Sequence, residues 1–264
     1  MTTGDLRVTL VQADTVWHDP EANRIRLGAA MAGAAPTDLF VLPETCTSGF
    51  SNEALTRAES MDGPTVAWMQ AQAAAHNAAV TGSVQLRVGD AVYNRLLWVT
   101  PDGAVRHYDK RHLFRMSGEH ERYAAGRDRL VVPWRGWRVL PLVCYDLRFP
   151  VFSRNRVVGD ALEYDLVVYV ANWPVARQTA WRTLLRARAI ENLCYAVGVN
   201  RTGTDGNGLR FAGGSAACDF LGETLVDAGE PVGVHAGTLD RAALEMHRTR
   251  FPAHRDADAF TLDG

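Results

Sequence analysis

Residues 139–150 read VLPLVCYDLRFP. A run rich in Val and Leu stops on Cys144, and Tyr145, Asp146 and Arg148 follow directly. A short apolar run bounded by polar residues predicts a buried strand that emerges at an edge. Strand ends are where α/β folds present their chemistry. A free cysteine is more often a small buried hydrophobe than a nucleophile, so this stretch alone leaves both readings of Cys144 open.

Outward from it, apolar and β-branched runs recur along the chain: LRVTLVQ, DLFVLPE, AAVTGSV, NRLLWVT, DLVVYVANW, YAVGVN and GVHAGTL. Between several of them lie segments of helical character. Residues 20–33 and 64–78 each open on a proline, suited to a first helical position. Residues 180–194 place Trp181, Leu184 and Leu185 on one face, with Arg182 and Arg186 elsewhere. Strand and helix alternating in this way predict an α/β fold with helices over the sheets. No long linker, internal repeat or low-complexity tract divides the chain, so one domain over 1–264 is expected, with two sheets packed together. PDG at 101–103 reads as a hairpin turn, and DGNG at 205–208 as ordinary loop geometry.

The chain has 264 residues, 47% hydrophobic and 22% charged, with net charge −2. That balance offers no electrostatic case for a nucleic-acid or membrane partner. RHLFRMSGEHER is basic but interrupted by Glu119 and Glu121. No stretch of about 18 uninterrupted apolar residues occurs, and MTTGDLRVTLVQ lacks the character of a signal peptide. Cys46, Cys144, Cys194 and Cys218 are scattered without CxxC spacing, which argues against a disulfide framework or thiolate metal site. A reduced, cytoplasmic enzyme or binding protein is the expectation, with no metal or organic cofactor.

Three strand-like runs end on chemically useful groups. DLFVLPE ends on Glu44, AVRHYDK on Lys110 and VLPLVCYD carries Cys144. A thiol with a pKa of about 8.5 is mostly protonated at neutral pH. A nearby carboxylate can take its proton, and a nearby ammonium favours the thiolate. After attack on a carbonyl, a lysine and a backbone N–H can hold the oxyanion. Taken singly, a Glu or Lys at a strand end is usually a solvated turn residue.

LPETCTSGF, DKRHLF and VCYDLRFP resemble the Glu, Lys and Cys motifs of the carbon–nitrogen hydrolase (nitrilase) superfamily, in that family's order and at similar separations. The resemblance runs from VTLVQ through ANWP and ARAIEN to NRTGTDGNG and DFLGE. HLFRMSGEH together with CYDLRFP, ANWP and NRTGTDGNG is similar to the bacterial ω-amidase branch, which acts on 2-oxoglutaramate and related monoamides.

The resemblance implies a four-layer αββα sandwich that pairs into a homodimer or higher homo-oligomer. It implies Glu44 as general base, Lys110 as oxyanion partner and Cys144 as nucleophile. Glu119 would support Lys110 or the catalytic water, with Glu121 competing for that role. Tyr145 would supply a backbone N–H to the oxyanion, and Asn172 and Trp173 would line the pocket, although Trp173 can equally be core. Arg115, Arg148 and Arg177 are candidates for a substrate carboxylate, although a surface or structural role is the ordinary expectation for any one of them. Arg148 and Asp146 are expected to hold their turn through buried pairing. His112 invites a Cys–His alternative, and Cys218, in GGSAACDF, reads as a small buried residue. A nitrilase or other aliphatic amidase would use the same three residues, and a non-catalytic scaffold of the same fold is the reading from a different class.

Overall fold

The computed structural model of the chain describes residues 4–262. Its first five strands are β1 (Leu6–Gln12), β2 (Leu39–Val41), β3 (Ala79–Val88), β4 (Ala91–Val99) and β5 (Val105–Asp109). Then come β6 (Val132–Trp134), β7 (Trp137–Val143), a short hairpin of β8 (Val157–Val158) and β9 (Ala161–Leu162), β10 (Leu166–Ala171) and β11 (Tyr195–Asn200). A second small hairpin, β12 (Thr202–Thr204) and β13 (Arg210–Ala212), precedes β14 (Ala216–Cys218), β15 (Thr224–Asp227) and β16 (Gly233–Leu239). The helices are α1 (Pro20–Ala32), α2 (Pro64–His76), the short α3 (Pro150–Ser153), α4 (Gln178–Asn192) and α5 (Arg241–Arg250).

Two six-stranded sheets result, ordered β16-β1-β2-β3-β4-β5 and β15-β14-β11-β10-β7-β6. β1, β2 and β3 run parallel in the first, and β7, β10 and β11 in the second. Their strands read as continuous apolar runs because both faces are covered. In β4, Leu96 and Trp98 pack with Leu140 and Leu142 of the other sheet, whereas Leu97 and Val99 pack with Leu27 and Met31 of α1 and Met69 of α2. Trp181, Leu185 and Ala189 of α4 join the core of the second sheet. Helix, sheet, sheet, helix is therefore the layer order, an αββα sandwich.

Local chemistry sets the helix limits. Asp19 caps α1, accepting the Ala22 N–H at 3.0 Å, and Pro20 takes the first position. α2 ends where Asn77 turns left-handed at φ 47°, and α4 where Leu193 does the same. No described helix is long and apolar enough to cross a membrane.

Asp165 ties α5 to the second sheet. Its fully buried carboxylate meets Arg138 at 2.8 Å, Arg241 at 3.1 Å and Arg248 at 2.6 Å. Burial opposes ionisation, but these guanidiniums outweigh it and bring the carboxyl from 3.8 down to about 2. A depressed carboxylate stabilises the fold above its unfolded value, and that contribution is lost as pH falls through the folded one. Asp165→Asn is expected to cost about 2 kcal/mol at pH 7, and the gap to the native chain should close as pH falls from 3.8 towards 2. Urea unfolding across that range measures it; a gap independent of pH would show that packing alone is at stake.

Candidate active site

The direction of the strands gathers the site. Glu44 follows β2, Lys110 follows β5, Cys144 follows β7 and Asn172 follows β10. β5 runs with β3 because both are antiparallel to β4, so all four residues leave the sandwich along the same edge of the two sheets.

Cys144 begins a tight turn, Cys144–Arg148, with its own φ at +43°. A non-glycine residue is held in that region only when its surroundings over-determine it. Asp146 supplies much of that constraint. Its buried carboxylate accepts the Val143 N–H at 3.0 Å, the Tyr108 hydroxyl at 2.8 Å and the His112 N–H at 3.0 Å. His112 Nδ1 lies 2.7 Å away as well. Asp146 therefore grips the chain on both sides of Lys110 as well as the residue before Cys144. From α4, Arg188 donates to the Leu147 carbonyl at 2.6 Å and holds the far side of the turn. The expected pairing of Arg148 with Asp146 does not form. The carboxylate is already saturated by closer donors, and Arg148 lies over the Trp173 ring at 4.8 Å.

Glu44, Lys110 and Glu119 make one buried network. Lys110 Nζ is 2.9 Å from Glu44 Oε1 and 3.0 Å from each oxygen of Glu119. Glu44 Oε2 accepts the Asn172 N–H at 2.8 Å, and Glu119 Oε2 accepts the Phe114 N–H at 2.6 Å. Between Glu119 and Glu121 the structure is decisive: the Glu119 side chain is fully buried against Lys110, while that of Glu121 is 69% exposed. Cys144 Sγ is 3.9 Å from the Asn172 carbonyl oxygen.

The charges explain the resting state. Loss of solvent around the sulfur, then the charge of Glu44, hold the Cys144 thiol well above its ordinary pKa, against the opposing pull of Lys110. Burial disfavours the Lys110 ammonium, yet Glu119, Glu44 and Cys144 together hold it well above its usual value. Burial raises the Glu119 carboxyl, with Lys110 opposing and Glu44 reinforcing. The sulfur thus rests as a thiol beside a permanent ammonium. The lysine does not ionise it in advance, so its proton must pass to a base as it attacks.

A cavity of about 420 Å³ opens over these groups. Tyr145, Asn172 and Trp173 line it, as do Arg148 and Arg177. Arg115 does not: it is exposed, while Phe114, Met116 and Ser117 beside it supply the wall. A three-residue 3-10 turn (Arg115–Ser117) cannot face every side chain inward. Trp173 belongs to both core and cavity, being buried against Trp181 at 5.6 Å. His112 is stacked on Phe149 at 3.8 Å and lies outside the lining, which removes the Cys–His alternative. Cys218 is a small buried residue on β14. The DGNG turn is more than a loop, since it closes the β12–β13 hairpin and puts Asp205 and Asn207 on the cavity wall.

Sequence reasoning missed Asn94 and Phe50. Asn94 reaches Glu44 at 2.8 Å, and the Phe50 ring lies 5.4 Å from Lys110 Nζ. The Arg95 and Asp109 charges were a usable signal for Asn94, because pairing them across β4 and β5 puts Asn94 next to Lys110.

A sandwich with a cysteine, a lysine and two carboxylates at the edge where its two sheets meet is the architecture of a carbon–nitrogen hydrolase. The model of the family described as carbon–nitrogen hydrolase matches residues 7–248, and the chain belongs to that family. It is 48% identical to the omega-amidase YafV of Escherichia coli, over 97% of this chain and 98% of that one. It is 32% identical to the 2-oxoglutaramate amidase of Bacillus subtilis, over 83% and 84% of the two chains. Among solved structures it resembles XC1258 of Xanthomonas campestris, a superfamily member with an arsenic adduct in its active site. That likeness has a TM-score of 0.96 at 60% identity over 98% of this chain and 99% of the other.

Proposed function

We propose that the chain hydrolyses the terminal amide of a small 2-oxo dicarboxylic acid monoamide, of the 2-oxoglutaramate kind, to the acid and ammonia through a thioester on Cys144. The observation that carries this is the buried Glu44–Lys110–Glu119 network set against a cysteine on a strained turn. As the sulfur attacks the amide carbon, Glu44 takes the thiol proton. The oxyanion rests against the Lys110 ammonium and the Tyr145 N–H. Glu44 passes its proton to the departing ammonia, leaving the thioester. It then deprotonates the water that releases the acid and restores the thiol. Glu119 keeps Lys110 charged and in place.

The arginines support an anionic substrate. Arg148 rests on the face of Trp173 and Arg177 on that of Phe114, and neither forms an ion pair with a described carboxylate. Uncompensated guanidiniums on a largely apolar cavity are fitted to a carboxylate. The similarity to proteins named omega-amidase and 2-oxoglutaramate amidase supports the amide reading rather than the nitrile one. All four cysteines are free, as suits a reduced cytoplasmic setting. A homo-oligomer is part of the proposal.

Ammonia release from 2-oxoglutaramate, with glutamine, asparagine and a simple nitrile alongside, tests the reading. Turnover of the oxo-amide is expected. Arg148→Met or Arg177→Met should raise its KM about tenfold or more, the loss of one charge-assisted contact. Turnover of the nitrile without the amide would overturn the proposal.

A further inference from the structure

Two carboxylates share one ammonium at this site, and a second donor lies between them. Asn94, on β4 and fully buried, points its amide at both. Its Nδ2 is 2.8 Å from Glu44 Oε1 and 3.4 Å from Glu119 Oε1. Lys110 Nζ meets those same two oxygens at 2.9 and 3.0 Å. The ladder creates this placement. Arg95 stands opposite Asp109 and binds it through two nitrogens, at 2.7 and 2.8 Å. The Lys110 N–H donates to the Asn94 carbonyl at 3.0 Å. Asn94 and Lys110 therefore sit side by side on the face opposite that ion pair.

We propose that Asn94 is a positioning residue that keeps Glu44 available as a base by separating it electrostatically from Glu119. Two neighbouring carboxylates in a dry site do not both ionise readily, and one tends to hold a proton. A single ammonium compensates one of the two charges. The other has to be carried by N–H donors, and Glu44 receives them from Asn94 and from the Asn172 backbone at 2.8 Å. The remaining titratable groups facing the pair are the Cys144 thiol and Tyr123. The Tyr123 hydroxyl donates to the Ser51 carbonyl, and burial keeps it neutral. Neither supplies positive charge, so beyond Lys110 the Glu44 charge is left to Asn94 and the Asn172 N–H. Its Oδ1 is buried without a protein partner, a cost more readily explained by use of the amide donor than by packing.

This inference rests on the role proposed for Glu44, and its test does not depend on the substrate. Iodoacetamide alkylation of Cys144 followed against pH reads how readily the thiol proton is taken. In Asn94→Leu, similar in volume and without a donor, the rising limb should move up by about one pH unit. At pH values below the limb, alkylation should then be about tenfold slower. Asn94→Asp should move the limb further, and Asn94→Ser, which keeps a hydroxyl donor, less. The kcat of ammonia release should follow the same limb, recovering as pH rises, with KM within about twofold of native.

Folded variants with an unmoved limb would overturn the inference. So would a loss of rate equal at every pH, which marks packing alone. If Asn94→Leu does not fold, Asn94→Ser and Asn94→Asp still bracket the effect. A native chain that releases no ammonia from 2-oxoglutaramate, yet shows the moving limb, would overturn the proposed substrate and leave this inference standing.

Discussion

Cys144→Ala is expected to abolish ammonia release, a loss of at least about 10⁴-fold in kcat, because without the sulfur no thioester can form and the other groups are left to act on water alone. The fold should survive, since alanine removes a single atom from a half-buried position. The same residue should be selectively labelled in the native chain. Cys46, Cys194 and Cys218 are buried, and burial pushes the first two to about 12 and the third to about 11. The Cys144 thiol is raised as well, but of the four it alone opens onto the cavity, where Glu44 also lies. One equivalent of iodoacetamide should therefore stop the enzyme, and mass spectrometry should find the adduct on Cys144. Retained ammonia release in Cys144→Ala would sink the thioester scheme.

Lys110→Met is expected to fail in two ways at once. It removes the group proposed to hold the oxyanion, worth about 10²–10³ in kcat. It also strands two carboxylates whose side chains are 1% and 0% exposed. Breaking a buried ion pair from one side costs about 3–5 kcal/mol, a large part of the stability of an ordinary domain. The double variant Lys110→Met with Glu119→Gln should regain much of that stability, because only one carboxylate then lacks a partner, and regain none of the activity. Thermal unfolding and the ammonia assay on the native chain and the two variants separate the two effects. A double variant no more stable than the single one would mean that the cost is lost packing rather than uncompensated charge.

The strands and helices were legible because burial writes itself into the chain. LRVTLVQ and YAVGVN occupy strands with the same limits, Leu6–Gln12 and Tyr195–Asn200. A strand covered on both faces must be apolar along its whole length. Glu44 and Cys144 stood out for the related reason that each ends such a run with a polar or reactive group, whereas Lys110 follows the polar edge strand VRHYD. Arg115 misled because neighbours on a short turn face different ways, which spacing along the chain does not reveal. Asn94 was missed because one amide inside NRLLWVT carries no signature of its own; the usable signal lay in its neighbour Arg95 and in Asp109 on the next strand.

The chain by itself determined an α/β fold with helices over its sheets and put Glu44, Lys110 and Cys144 at strand ends, since apolar periodicity and residue type are local properties. The four-layer sandwich was implied by the family resemblance. Only the tertiary structure decided which glutamate holds Lys110, that Asp146 braces the cysteine turn against the lysine strand, and that Arg148 and Arg177 rather than Arg115 border the cavity. Those outcomes depend on the register between strands and on the meeting of two sheets, where residues as far apart as Glu44 and Asn172 come within 2.8 Å. Coulombic and hydrogen-bond energies follow distance in space, which separation along the chain does not record.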